Sequence, residues 1–214
     1  MLTSKFYLAF VLIAVISYLL GSLNFALILS RRLAGDDIRR HGSGNAGMTN
    51  VLRTYGKKMA AATAAGDFVK AMVAIGLSRY IFIRLGITIL DAGYPSGLFV
   101  ILGHQFPLYF GFKGGKAVIV SLAVIVLTNP LVFLIIMVVF VPFVFMVKIV
   151  SLASVLGAVA YPVLTWAVLT WMGRDARYDT ICAAVIGAII LFNHRQNIGR
   201  LLKGTENKFG SKKN

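Results

Sequence analysis

The chain alternates between long apolar runs and short polar blocks. The first run, residues 6–29, has 24 residues, close to the roughly 20 that a helix needs to cross a hydrocarbon core about 30 Å thick. It is longer than the apolar region of a secretory signal, about 7–15 residues, and carries no small-residue cleavage site, so it is read as a spanning helix. Residues 30–58 are polar and basic. Further apolar runs cover 59–83, interrupted by Arg79 near its end, then 94–110, 152–172 and 180–192. Residues 117–147 are 31 nearly uncharged positions, too many for one helix and few for two. Asn129-Pro130 stands in their middle, and the residue before a proline resists helical dihedrals, so the pair predicts a break. Split there, the chain has seven crossings. The expected fold is an all-α polytopic integral membrane protein with seven transmembrane helices, one domain over residues 1–214.

The basic residues sort unevenly under this topology. One face takes sixteen: Arg31, Arg32, Arg39, Arg40, Arg53, Lys57, Lys58, Lys113, Lys116, Lys148, Arg195, Arg200, Lys203, Lys208, Lys212 and Lys213. The other takes Lys5, Arg79, Arg84, Arg174 and Arg177, and Lys70 is left inside a span. The positive-inside rule makes the richer face cytoplasmic, with the N-terminus out and the C-terminus in. A single span over 117–147 would put the 111–116 loop and the C-terminal tail on opposite sides and erase most of the asymmetry. No pair of spans shows a convincing internal repeat of the kind that marks many transporters.

Composition agrees with the pattern. Hydrophobic residues are 58% and charged residues 14%, with a mean hydropathy of +0.83, which excludes a water-soluble globule, usually about a quarter charged. The net charge of +15 would suggest nucleic acid in a soluble protein. Here the apolar spans force charges into the exits, so no nucleic-acid partner is inferred. The one cysteine, Cys182, lies in an apolar run, so there is no intramolecular disulfide and the thiol reads as filler. Three dispersed histidines give no ligand spacing, so neither a metal nor another cofactor is expected.

The remaining polar residues gather on the cytoplasmic face. His41-Gly42-Ser43-Gly44-Asn45-Ala46-Gly47-Met48-Thr49-Asn50 followed by Arg53 has the chemistry of an anion nest: glycines let successive N–H groups converge, Ser43 and Asn45 add donors, and Arg53 brings a bidentate charge. An ordinary loop also uses Gly and Asn for its turns. Gly103-His104-Gln105-Phe106-Pro107 leads to Lys113-Gly114-Gly115-Lys116, with further N–H groups and two ammonium ions. This is not a Walker A loop, since Phe110 replaces its first glycine and Ala117 its Ser/Thr. His194 and Asn197, three apart at the end of the last span, share a helix face, with Asn193, Arg200 and Glu206 nearby. Asp67 and Lys70, three apart inside a span, are expected to neutralise each other as structural support.

In these blocks the chain resembles the bacterial acyl-phosphate-dependent glycerol-3-phosphate acyltransferases of the PlsY type. The resemblance covers nearly the whole sequence: Gly21-Ser22; the block from Gly42 to Arg53; Gly103-His104-x-Phe106-Pro107 through Phe112-Lys113-Gly114-Gly115-Lys116; Ser151-Leu152-Ala153-Ser154; and His194-x-x-Asn197 through Glu206 and Lys208. Met48 stands where the family usually has Ala, and Ala117 where it usually has Gly. The resemblance implies acyl transfer from acyl phosphate to the 1-hydroxyl of glycerol 3-phosphate, releasing lysophosphatidic acid and phosphate, as in the first acylation of phospholipid synthesis. It implies a cytoplasm-facing site in the inner membrane and no obligate protein partner. By the same carry-over, Ser43, Arg53, His194 and Asn197 are the critical residues, and Lys113 to Lys116 help bind glycerol 3-phosphate. Gly42, Gly44, Asn45, Gly47, Thr49, Asn50, His104, Ser151 and Ser154 are expected beside the substrates, with Glu206 structural.

Thioester-dependent acyltransferases carry a His-x-x-x-x-Asp pattern, and the residues five after His41, His104 and His194 are Ala46, Tyr109 and Gly199. A transporter of small phosphate-bearing anions is the alternative from another class. It predicts polar residues at mid-membrane and on both faces, whereas this sequence concentrates them on one.

Overall fold

A computed structural model of the chain describes residues 4–208, and among these there is helix and no strand. Packing divides the chain into two compact units, Met1–Thr128 and Asn129–Asn214. The boundary falls at the expected Asn129-Pro130 break. Lys212 and Lys213 of the basic tail lie outside the described residues.

The first unit holds α1 (Ser4–Gly21), α2 (Phe25–Leu33), α3 (Met48–Tyr55), α4 (Lys57–Arg84), α5 (Gly93–Gln105) and α6 (Val118–Thr128). Helix α4 packs on every other helix of the unit, and α5 packs on α1, α4 and α6. Small residues let the backbones close up, as in membrane helix pairs generally: a Cβ on Gly21 would strike the Val100 carbonyl, and one on Gly103 the Tyr18 carbonyl. The buried Ser17 hydroxyl lies 2.8 Å from that of Ser96 and 3.4 Å from that of Ser78, joining α1, α5 and α4. At the other end of α4, Arg79 pairs with Asp91 and donates to the Leu127 carbonyl at 2.7 Å, satisfying a last-turn group of α6.

The run expected as one helix over 6–29 is broken. Helix α1 stops at Gly21, and α2 begins at Phe25 with Asn24 as its N-cap, accepting from the Leu27 N–H at 3.1 Å. The break is stabilised from α4. The Lys70 ammonium donates to the carbonyls of Gly21 (3.0 Å) and Leu23 (2.8 Å), and Asp67 accepts from the Phe25 N–H at 3.4 Å. The cation thus meets the negative end of α1 and the anion the positive end of α2.

The second unit holds α7 (Pro130–Val147), α8 (Val150–Trp171), α9 (Arg177–Asn193) and α10 (Arg195–Leu202). Pro130 occupies the first turn of α7, where its missing N–H costs nothing, and Asn129 caps the helix through the Val132 N–H. Helix α8 packs on both α7 and α9, and a Cβ on Gly187 would meet the Ala158 carbonyl. Helices α9 and α10 meet at a 63° bend.

Four segments are long and apolar enough to cross a membrane: Ser4–Leu33, Lys57–Arg84, Pro130–Val147 and Val150–Trp171, with the bent pair α9–α10 a fifth. At about 1.5 Å per residue, α5 and α6 fall short of a 30 Å core. The count of seven is therefore not carried by helix length.

Candidate active site

In the first unit, the 42–50 block is a loop feeding directly into α3. Gly42 and Gly44 take left-handed φ of 56° and 71°, which a side chain resists. The space beside Gly42 is filled by Asn50, whose Oδ1 accepts from the Ser43 N–H at 3.0 Å while its Nδ2 donates to the carbonyls of His41 (2.9 Å) and Ile38 (3.2 Å). Asn50 is 1% exposed. Expected beside substrate, it uses its whole carboxamide to shape the loop instead. Gly47 is the N-cap of α3 and provides no side-chain acceptor. Among the described residues, the N–H groups of Asn45, Ala46, Met48 and Thr49 have no protein acceptor. Such a helix start attracts anions. Ser43 and Arg53 are exposed around it.

The Lys113–Lys116 loop folds back on the end of α5. The Gly114 and Gly115 N–H groups donate to the carbonyls of Gln105 (3.0 Å) and His104 (3.1 Å). These amides were expected to face phosphate; the loop consumes them, and the glycines serve close packing. A Cβ on Gly114 would hit the His104 carbonyl, and one on Gly115 both the His104 ring and the Ala46 carbonyl. The first two blocks therefore meet at Gly115, His104 and Ala46. Asn24 adds a tie, donating to the Ala46 carbonyl at 3.2 Å.

Arg39 is the residue that sequence reasoning missed, having counted only as one basic residue on its face. Its guanidinium donates to the carbonyls of Phe110 (2.9 Å) and Lys113 (3.0 Å) while paired with Asp37 at 2.7 Å, so it clamps one loop to the other. The Arg39 hydrogen bonds hold the Asp37 carboxyl far below the usual carboxylate range. Arg-Asp spacing two apart was the available signal, but its second set of partners lies more than seventy residues away.

Beneath these loops, Asp67 and Lys70 form the expected pair, 2.8 Å apart and nearly sealed from solvent. His104 joins them. Its Nδ1 lies 2.9 Å from the Lys70 ammonium and 3.4 Å from Asp67 Oδ1.

In the second unit, the third block centres on Glu206. Its Oε1 accepts from Asn197 Nδ2 (2.7 Å) and the Ser151 hydroxyl (2.9 Å), and its Oε2 from Arg200 Nε (2.7 Å). Burial pushes the Glu206 carboxyl up, but the hydrogen bonds from Arg200, Asn197 and Ser151 outweigh it and hold it below its usual value. Ser154 turns its hydroxyl onto the Val150 carbonyl of its own helix at 3.1 Å. His194 sits at the α9–α10 bend with Nδ1 2.8 Å from the Ile190 carbonyl. An acceptor there puts the ring proton on Nδ1 and makes Nε2 the basic nitrogen.

The model of the family described as glycerol-3-phosphate acyltransferase matches residues 11–204, running through both units. The chain belongs to this family. A glycerol-3-phosphate acyltransferase of Clostridioides difficile (strain 630) is 42% identical over 205 residues, covering 96% of this chain and 98% of the relative. One from Neisseria meningitidis serogroup C / serotype 2a (strain ATCC 700532 / DSM 15464 / FAM18) is 39% identical over 200 residues, 92% and 96% of the two chains. Crystal structures of PlsY (YgiH), an integral membrane glycerol 3-phosphate acyltransferase, superimpose at 34% identity in a glycerol 3-phosphate form (TM-score 0.80, covering 94% of this chain and 96% of that one) and a lysophosphatidic acid form (TM-score 0.78, 94% and 95%). This glycerol-3-phosphate acyltransferase is accordingly a multi-pass membrane enzyme, not a transporter.

Proposed function

We propose that the enzyme transfers a fatty acyl group from acyl phosphate to the 1-hydroxyl of glycerol 3-phosphate, forming lysophosphatidic acid and phosphate. The observation that carries this reading is the start of α3, where four N–H groups without an acceptor among the described residues are flanked by Ser43 and Arg53. The family supplies the chemistry. The match through both units supports one acyltransferase domain over 1–214.

In this reading the Ser43 hydroxyl and the N–H groups of Asn45, Ala46, Met48 and Thr49 cradle a substrate phosphate, with Arg53, Lys113 and Lys116 neutralising it. Gly42, Gly44, Gly47 and Asn50 shape the cradle, the Gly44 N–H being held by the His41 carbonyl, as Gly114 and Gly115 shape its neighbour. His194 presents Nε2 to the attacking hydroxyl, Asn197 orients it, and Ser151 and Glu206 fix Asn197. The hydroxyl oxygen bonds to the acyl carbon as the C–O bond to phosphate breaks, phosphate leaves with the electron pair, and the hydroxyl proton passes to Nε2 or to a phosphate oxygen. An acyl phosphate is already activated, so catalysis rests on orientation and charge neutralisation, with no covalent enzyme intermediate.

The distribution of basic residues supports seven crossings in the inner membrane, N-terminus out, with the site facing the cytoplasm. Helices α5 and α6 then cross as short segments, α5 shielded from lipid by its neighbours, ten of its 13 residues being buried.

The test is lysophosphatidic acid formation by purified protein, with acyl phosphate compared against acyl thioesters. Acyl phosphate is expected to be the donor used, and activity with thioester alone would overturn the donor assignment. His194→Ala is expected to cost on the order of 10²-fold or more in rate if the imidazole takes the proton. Undiminished activity removes it from the reaction.

A further inference from the structure

We propose that Lys70 is a positioning residue that fixes His104 in its Nε2–H tautomer, so that His104 donates a hydrogen bond to the phosphate of glycerol 3-phosphate. The inference rests on the phosphate-cradle reading above and adds two buried residues to it. Lys70 Nζ shares its three protons among four acceptors, the Gly21 and Leu23 carbonyls, Asp67 Oδ1 and His104 Nδ1, and because an ammonium carries only donors the ring nitrogen 2.9 Å away turns a lone pair to it. A proton on that nitrogen would face the cation at hydrogen-bonding distance. Asp67 Oδ1, the competing acceptor for such a proton, stands farther off at 3.4 Å and is already engaged by Lys70 at 2.8 Å. The neutral ring therefore keeps its one proton on Nε2.

That nitrogen sits at the seam of the two loops. A Cβ on Gly115 would overlap both Nε2 and the Ala46 carbonyl, so Nε2 lies against the middle of the Lys113–Lys116 loop and beside the Gly42–Gly47 loop. The ring is 97% buried, and Nε2 has no hydrogen-bond partner among the described residues. An N–H on that nitrogen has no acceptor from these residues, so an anion seated against the two loops can take its hydrogen bond. Lys70 is itself held by the carbonyls of Gly21 and Leu23, so the tautomer is set by the break between α1 and α2.

The chain has 3 histidines, so nitrogen NMR on histidine-labelled full-length protein resolves each one, assigned with His41→Gln and His194→Gln. His104 is expected as the neutral Nε2–H tautomer, opposite to His194, with its Nε2 signal moving when glycerol 3-phosphate is added. Removing Lys70 and Asp67 together, as Lys70→Met with Asp67→Asn, avoids stranding a buried charge. It should raise KM for glycerol 3-phosphate on the order of tenfold with little change in kcat. His104→Gln, which keeps a donor near Nε2, should retain most of the affinity that His104→Ala loses. An active enzyme whose His104 carries the proton on Nδ1, or whose Nε2 signal ignores glycerol 3-phosphate, overturns the inference and leaves acyl transfer standing. A wild-type protein that neither binds glycerol 3-phosphate nor transfers acyl groups overturns both.

Discussion

Asn197 donates its amide to Glu206 Oε1 across 2.7 Å, and that same oxygen takes the Ser151 hydroxyl of α8. One carboxylate thus fixes which way the Asn197 amide faces and ties the 203–206 segment to two helices. Glu206→Ala removes the acceptor for three donors, each hydrogen bond to a charged group being worth about 1.5–3 kcal/mol. We expect a stability loss of about 2 kcal/mol or more, read from thermal unfolding in detergent, together with a fall in kcat/KM. Glu206→Gln keeps the volume and one acceptor oxygen, so it should lose less of both.

Acid should weaken the second unit through this group. Its carboxyl is lower in the folded chain than in the unfolded one. Its contribution is then complete above the unfolded value of about 4.3 and disappears as pH falls through the folded value. Melting temperature measured from about pH 7 down to about pH 3 should drop on the acid side, more steeply for wild type than for Glu206→Gln. Equal slopes would mean that the carboxylate contributes nothing to the acid limb. Asp37, also held low by Arg39, adds a slope of the same sign in both proteins.

Arg39 makes a different kind of tie: its Nη1 donates to both backbone carbonyls while Nε and Nη2 grip the Asp37 carboxylate. Lysine has one nitrogen and cannot serve the two carbonyls and a bidentate carboxylate together. Arg39→Lys and Arg39→Ala are both expected to raise KM for glycerol 3-phosphate several-fold by loosening the 107–116 loop, with a melting temperature within a few degrees of wild type. If lysine restores wild-type KM, the combined grip on Asp37 and the two carbonyls is not what positions the loop.

Features that depend on near neighbours were legible in the sequence, and those that depend on distant partners were not. Pro130 restricts Asn129 locally, so the break between α6 and α7 could be read from two letters. Asp67 and Lys70 are three apart, so their pairing followed from helical spacing. The break at Ser22–Asn24 escaped notice because its stabilising groups sit on α4, more than forty residues away. Gly114 and Gly115 were read as offering amides to phosphate because glycine in a basic loop has two physical uses. Only the fold shows that here the close approach to His104 wins.

Two neighbours in that loop make opposite predictions. Ala117 has a φ of 61°, the left-handed region that a Cβ disfavours. Its methyl is buried and its carbonyl accepts the Ser121 N–H at 2.8 Å, so the conformation is fixed by the start of α6 and cannot relax cheaply. Ala117→Gly relieves the strain but gives the unfolded chain more freedom, which offsets part of the gain. A net stabilisation of about 0.5–1 kcal/mol is expected, with acyl transfer preserved. Gly115→Ala adds the same methyl two residues earlier, where it meets the Ala46 carbonyl and the His104 ring. Backbone on one side cannot yield as a flexible side chain would, so the loop itself must move, at a cost of about 1–3 kcal/mol. Melting temperatures and KM for glycerol 3-phosphate of the two variants, measured side by side, check this. Ala117→Gly should melt higher with KM unchanged, and Gly115→Ala should melt lower with KM raised; a stable Gly115→Ala of normal KM would show that the two loops do not need their contact at His104.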